Sequence, residues 1–120
     1  MAFRFEQLEI WHDANQYVDT IYKTVKTFPK DEMFALTDQL RRSASSIAAN
    51  IAEGSGSTSK KDFMHYLDIA IKSIYETVSH LYLAKTQNYI SEEQRIKLYT
   101  NAEILTKKIQ AFKGWLRNSS

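Results

Sequence analysis

The side chains in this sequence with the means to act chemically are three histidines, fourteen carboxylates and two adjacent arginines. Their spacing decides what they can do. A di-iron helical bundle needs Glu-x-x-His twice, with two further glutamates facing inward. Here Glu76 and His80 are four residues apart, and the pattern has no second copy. Asp62 and His65 are three apart but fall at the capped start of a helical segment. Three histidines on two segments supply no ligand set of the kind zinc or iron takes, so no metal and no cofactor are expected. Ribonucleases built on small helical bundles place a histidine within a turn or two after an arginine. Neither Arg41-Arg42 nor Arg95 is followed by one. The run Gly54-Ser55-Gly56-Ser57-Thr58-Ser59-Lys60-Lys61 has the composition of a phosphate cradle. It lacks the G-x-x-x-x-G-K-[ST] spacing, and a helix rather than a strand leads into it. An anion could rest on the helix that follows, near Lys60 and Lys61, but a plain flexible connector is the simpler reading. No nucleophile elbow or oxyanion loop is recognisable. There is no cysteine, which excludes thiolate chemistry and a disulfide framework. The expectation is a protein that is not an enzyme.

The elements that would position these residues are all helical. A chain of 120 residues is one domain with one core. Three glycines and one proline are too few for the turns of an all-β fold. No apolar run reaches the roughly 18 to 20 residues of a membrane span. The opening Met-Ala-Phe-Arg-Phe-Glu is unlike a signal peptide, so a cytoplasmic protein is expected. Leu8, Trp11, Ala14, Asn15, Val18, Ile21, Tyr22 and Val25 recur at spacings of three and four and predict a helix over about 7–27, closed by Phe28-Pro29. A second helix is expected over 38–53, capped by Thr37 or Asp38 and ended at Glu53-Gly54. A third covers 59–86, capped by Thr58 or Ser59. A fourth covers 92–115 and opens on a capping box, Ser91-Glu92-Glu93-Gln94, with Ile96, Tyr99, Ala102, Leu105, Ile109, Phe112 and Leu116 as its buried face. The last three or four residues should fray. Short connections make neighbouring helices antiparallel, which gives an up-down-up-down four-helix bundle.

Two helices are unusual. The second carries only a narrow stripe of bulk, Leu40, Ala44, Ile47 and Ile51, and is otherwise small: Ser43, Ser45, Ser46, Ala48, Ala49 and Ala52. The third is apolar or aromatic over about half its circumference, through Phe63, Tyr66, Leu67, Ala70, Ile71, Ile74, Tyr75, Val78, Leu81 and Tyr82. One core stripe needs less. Both features suit close packing and self-association. Arg42, Asn50, Glu53 and Glu76 would then form a polar network at an oligomer interface, although solvated surface pairs are the simpler reading. The net charge of +2 is too small to imply nucleic-acid binding by itself. The basic residues nevertheless cluster. From Arg95 to Arg117, both included, there are six cations and one acid, Glu103. Candidate RNA or DNA contacts are Arg41, Arg42, Lys60, Lys61, Lys107, Lys108, Lys113 and Arg117, and replacing Lys107 and Lys108 by Glu should weaken such binding without unfolding the chain. Cations near a helix C-terminus also complement its dipole, which is the alternative for that segment.

The run FALTDQLRRSASSIAANIAEGSGSTSKKDFMHYLDIAIKSIYET resembles the hallmark of the 23S rRNA-intervening-sequence proteins. The most specific parts are Gln39-Leu40-Arg41-Arg42, Asn50-Ile51-Ala52-Glu53-Gly54, and Ser73 with Glu76. Leu8, Trp11 and Ala14, and the stretch from Tyr22 to Phe28-Pro29, are similar to that family's first helix. Ser57 and Ala35 depart from it, where arginine and glycine are frequent. The resemblance implies a small bacterial four-helix bundle without assigned enzymatic activity, assembled as a ring-like homopentamer. The family is related to the accessory protein of diversity-generating retroelements, a basic barrel that binds nucleic acid and a reverse transcriptase. The resemblance therefore implies an oligomeric scaffold or adaptor, or a nucleic-acid-binding protein acting on ribosomal RNA or with a reverse transcriptase.

Overall fold

The computed structural model describes residues 2–119. Four helices, α1 (Glu9–Val25), α2 (Leu36–Ser55), α3 (Lys60–Thr86) and α4 (Glu92–Asn118), follow a 3-10 turn at Arg4–Gln7, and a second such turn, Lys30–Glu32, links α1 to α2. Helices adjacent in sequence pack together, and α4 closes on α1, whereas the backbones of the diagonal pairs α1/α3 and α2/α4 stay more than 8 Å apart between Cα atoms. The section is therefore a square of helices, drawn out to 49 × 23 × 21 Å. Residues early in one helix meet residues late in its neighbour. Ser43 faces Thr77 and Ser46 faces Ser73. Phe63 packs at a tilt against Phe112, and Lys108 reaches Glu9 and Asp13. These pairings make α2/α3, α3/α4 and α4/α1 antiparallel, and the up-down-up-down order follows.

The caps explain most helix boundaries. Ser59 Oγ accepts the Asp62 N–H at 3.1 Å. Ser91 forms the expected capping box, with its hydroxyl on the Gln94 N–H and the Gln94 carboxamide on its own N–H. Past the end of α3, Asn88 takes the left-handed conformation (φ 63°) and the Tyr89 N–H returns to the Ala84 carbonyl, a turn asparagine tolerates better than most residues.

Helix α2 departs from the sequence reading at both ends. It starts at Leu36, and Glu32 Oε1 accepts the Leu36 N–H from the preceding turn. Thr37, expected as a cap, is buried with its hydroxyl unpartnered among the described residues. At the far end α2 runs through Gly54 to Ser55, so Gly54 lies inside the helix. Helix α4 also runs on to Asn118, past Trp115, held by buried Leu116 and by a Lys60 hydrogen bond to the Ser119 carbonyl.

The core is one continuous cluster. Ile21, Leu40, Ile47, Ile51, Phe63, Leu67, Ile74, Leu81 and Ile109 are its largest fully buried side chains beside Thr77. The buried stripe of α1 is Ile10, Ala14, Tyr17, Ile21 and Val25. Ile10 and Tyr17 thus replace Leu8, Trp11, Val18 and Tyr22, which sit at the rim. On α4, Leu98 is buried, whereas Ile96 and Tyr99 face outward. Tyr17 donates from its hydroxyl to the Leu98 carbonyl at 3.0 Å, which satisfies the one polar atom this side chain brings inside. Burial pushes its phenol well above the ordinary range, so it stays a donor.

Candidate functional site

Helices α2 and α3 form the tightest seam because their facing residues are small. Ser43, Ser46, Ser73 and Thr77 build a hydroxyl ladder between them: Ser43 Oγ lies 2.8 Å from Thr77 Oγ1, and Ser46 Oγ lies 2.9 Å from Ser73 Oγ. Thr77 also reaches the Ser73 carbonyl, and Asn50 Nδ2 donates to the Ser46 carbonyl at 2.7 Å. Every hydroxyl in the ladder has a partner, which removes the cost of burying it. Lower on the seam, a Cβ on Gly54 would stand 2.6 Å from Tyr66 Cβ and 2.9 Å from Phe63 Cδ1. The glycine is there so that α3 can cross α2 at this point. Much of the small-residue surface of α2 therefore faces its own chain. The hydroxyl ladder ties the two helices together. Sequence reasoning missed the ladder; Ser73 and Thr77, four residues apart beside an apolar arc, could have signalled it.

The four residues expected to form an interface network are not joined to one another within one chain. Arg42 pairs with Asp38 at 2.7 Å, Asn50 bonds to Ser46, Glu76 meets His80 at 3.3 Å, and Glu53 is exposed. The first three partners lie on the same helix as the residue they hold. Arg42 comes one turn before Ser46, and Glu76 about one turn after Ser73, so the antiparallel pairing leaves both beside the outer edge of one seam.

The eight candidate nucleic-acid residues separate into four places. Lys60, Lys61, Lys113 and Arg117 converge with His65 on a shallow groove of about 420 Å³, where the start of α3 meets the end of α4. Asp68 pairs with Lys113 in that groove. Arg41 lies over the Tyr22 ring on the α1/α2 side, near Arg42. Lys107 faces outward between α3 and α4. Lys108 turns the other way and clamps α4 to α1 through Glu9 and Asp13, each at 2.9 Å. Hydrogen bonds to Asp13 and Glu9 hold its ammonium protonated beyond the ordinary lysine range. A Lys107/Lys108 double replacement therefore mixes a surface change with a seam change. His65 joins this cluster although sequence spacing gave no reason to include it.

The most distinctive surface is apolar. Tyr75 and Tyr82 on α3 and Ile96 and Tyr99 on α4 are exposed by 68, 51, 50 and 39%. Arg95 lies over the rings of Tyr82 and Tyr99, at 4.4 and 5.9 Å, and makes one surface of the two helices. Between them runs a groove of about 310 Å³, floored by Ile74, Val78 and Ala102 and edged by Glu103 and Lys107. Among the described residues, no three His, Cys, Asp or Glu side chains converge as a metal site would need. Nor is any described helix long and apolar enough to cross a membrane.

The model of one family, the 23S rRNA-intervening sequence proteins, matches residues 6–111, from before α1 to well into α4. The chain belongs to this family. A solved structure supports the placement at the level of the fold and of the sequence. It is a protein of unknown function from the S23 ribosomal protein family of Bacteroides thetaiotaomicron, 27% identical, with a TM-score of 0.77 over 87% of this chain and 97% of that one. No curated protein matches the sequence. The family match thus carries a fold and a name without a catalytic assignment, and the matched span includes the hydroxyl ladder, Gly54 and the apolar α3/α4 surface.

Proposed function

We propose that the chain is a non-enzymatic subunit of a cytoplasmic homo-oligomeric scaffold or adaptor, ring-like and pentameric. The observation that carries this reading is the unpartnered aromatic surface of α3 and α4. Chains that stay monomeric seldom present contiguous apolar patches of this kind, whereas obligate oligomers bury them. Each aromatic covered removes on the order of 150–250 Å² from water, at about 25 cal/mol per Å². Sedimentation equilibrium or light scattering at micromolar concentration tests it. A stable closed oligomer is expected, and a stable monomer sinks the reading.

A second reading, RNA or DNA binding on ribosomal RNA or beside a reverse transcriptase, is favoured by one observation. Lys60, Lys61, Lys113 and Arg117, far apart in sequence, meet in one groove with His65. A ring would repeat that groove around one rim, so that weak sites act together. Structured RNA and single-stranded DNA should shift at low salt and be released as salt rises. Replacing Lys60, Lys61 and Arg117 by Glu should abolish the shift. No shift of either probe by the native protein at low salt counts decisively against it.

A further inference from the structure

If the chain assembles with itself through α3 and α4, as proposed above, something on a second copy must cover the groove, and the structure offers a candidate. Phe34 is 92% exposed, more than any other large apolar side chain described, and Met33 beside it is 45% exposed. Both sit in the α1–α2 connection, between two well-buried residues, Phe28 and Leu36. Nothing in the chain's own packing calls for an aromatic at position 34. The connection that carries it is nevertheless fixed. Glu32 Oε2 accepts the Tyr89 hydroxyl at 3.0 Å, Glu32 Oε1 accepts the Leu36 N–H, and Phe28 lies against the Tyr89 ring at 5.3 Å. An apolar side chain held out on a tethered base loses little freedom when it docks.

We propose that Phe34 of one copy inserts into the α3/α4 groove of the next, between Tyr75, Val78 and Tyr99. Three observations support this occupant. The groove is apolar at its floor, and its volume of about 310 Å³ admits one aromatic side chain. The flanks are complementary in charge: Lys30 and Asp31 precede the knob, and Glu103 and Lys107 edge the groove. Neither Asp31 nor Lys107 has an ion-pair partner among the described residues of its own chain. Finally, Phe34 stands at the end of the bundle, on the α1–α2 connection that packs against Tyr89, whereas the groove runs along the flank of α3 and α4. Knob and groove are thus different patches of the surface, as a head-to-tail contact requires. The contact is then heterologous, passing from each copy to the next, and gives a ring where the rotation between copies closes.

The test uses Phe34→Glu and a pair of single-cysteine variants, for which the chain is suited because it contains no cysteine. Helix content and thermal unfolding of Phe34→Glu by circular dichroism should match the native protein, while its assembly weakens by at least about tenfold in concentration. Phe34→Cys and Tyr75→Cys proteins, unfolded together and refolded as a mixture, should be joined chain to chain by a short bismaleimide. Phe34→Cys alone should not be. A native protein that stays monomeric overturns the scaffold reading, and the inference with it. A native oligomer that Phe34→Glu leaves intact, or one in which Phe34→Cys links to itself as readily as to Tyr75→Cys, overturns only the inference. In that case like faces meet instead.

Discussion

Gly54 and Gly114 sit inside helices, yet they do opposite things. At Gly114 an added Cβ meets nothing within 4 Å, and Gly114→Ala should raise stability by about 1 kcal/mol through helix propensity alone. At Gly54 the same atom collides with Tyr66 Cβ, which is tied to the backbone and cannot swing away. Overpacking of this kind costs about 1–3 kcal/mol and outweighs the propensity gain. Urea denaturation of the two variants should therefore give shifts of opposite sign. Tyr17→Phe should cost about 1 kcal/mol in the same assay, the usual net value of a buried neutral hydrogen bond. In the sequence Gly54 reads as a helix terminator, because glycine after an acidic residue before a Gly/Ser run has that local signature. Its real role is a contact with residues nine and twelve positions away, which local pattern does not carry.

At the scale of elements, the existence of four helices, their caps at Ser59 and Ser91, and the end of α3 at Thr86 were legible in the sequence. The orientation of each helix about its axis was less so. On α1 the stripes Leu8-Trp11-Val18-Tyr22 and Ile10-Ala14-Tyr17-Ile21 both keep helical spacing, and on α4 the same holds for Ile96-Tyr99 and Leu98-Ala102. Where a helix carries a second apolar face, periodicity alone does not say which faces its own core. The seams differ in kind. The α2/α3 seam is a close-packed hydroxyl ladder, whereas α1 and α4 meet through Tyr17 and the Lys108 clamp. Native-state hydrogen exchange should find the slowest amides in α2 and α3 around Ser43–Ile51 and Leu67–Leu81, with α1 opening first. The clamp has a pH signature. A cation whose folded value is raised adds stability that is complete below its unfolded value, about 10.4, and that disappears as pH climbs through the folded value. The stability gap between the native protein and Lys108→Met should stay constant from neutral pH to about 10 and close in stronger alkali.

The whole molecule carries its two notable surfaces along the same pair of helices, α3 and α4, and they obey different forces. Association at the aromatic groove would remove apolar surface from water, whereas an anion would meet the basic groove by Coulomb attraction. Raising salt to about 0.5 M shortens the screening length to a few ångströms and should release bound RNA while leaving the oligomer whole. Ultracentrifugation of protein with RNA across a salt series separates the two events. Loss of the oligomer before the RNA would reverse the assignment of these surfaces. The antiparallel square has one more consequence. Arg4 lies over the Phe63 ring, Phe63 packs against Phe112, and Lys60 holds Ser119, so the beginning of the first helix and the end of the last are neighbours. Connectivity is thus separable from architecture: a circular permutant reopened at Gly56-Ser57, with a short linker joining the old ends, should fold to the same square. In a ring of parallel subunits, cargo fused to either end would emerge on the rim that carries Lys60, Lys61 and Arg117, and the opposite rim would stay bare.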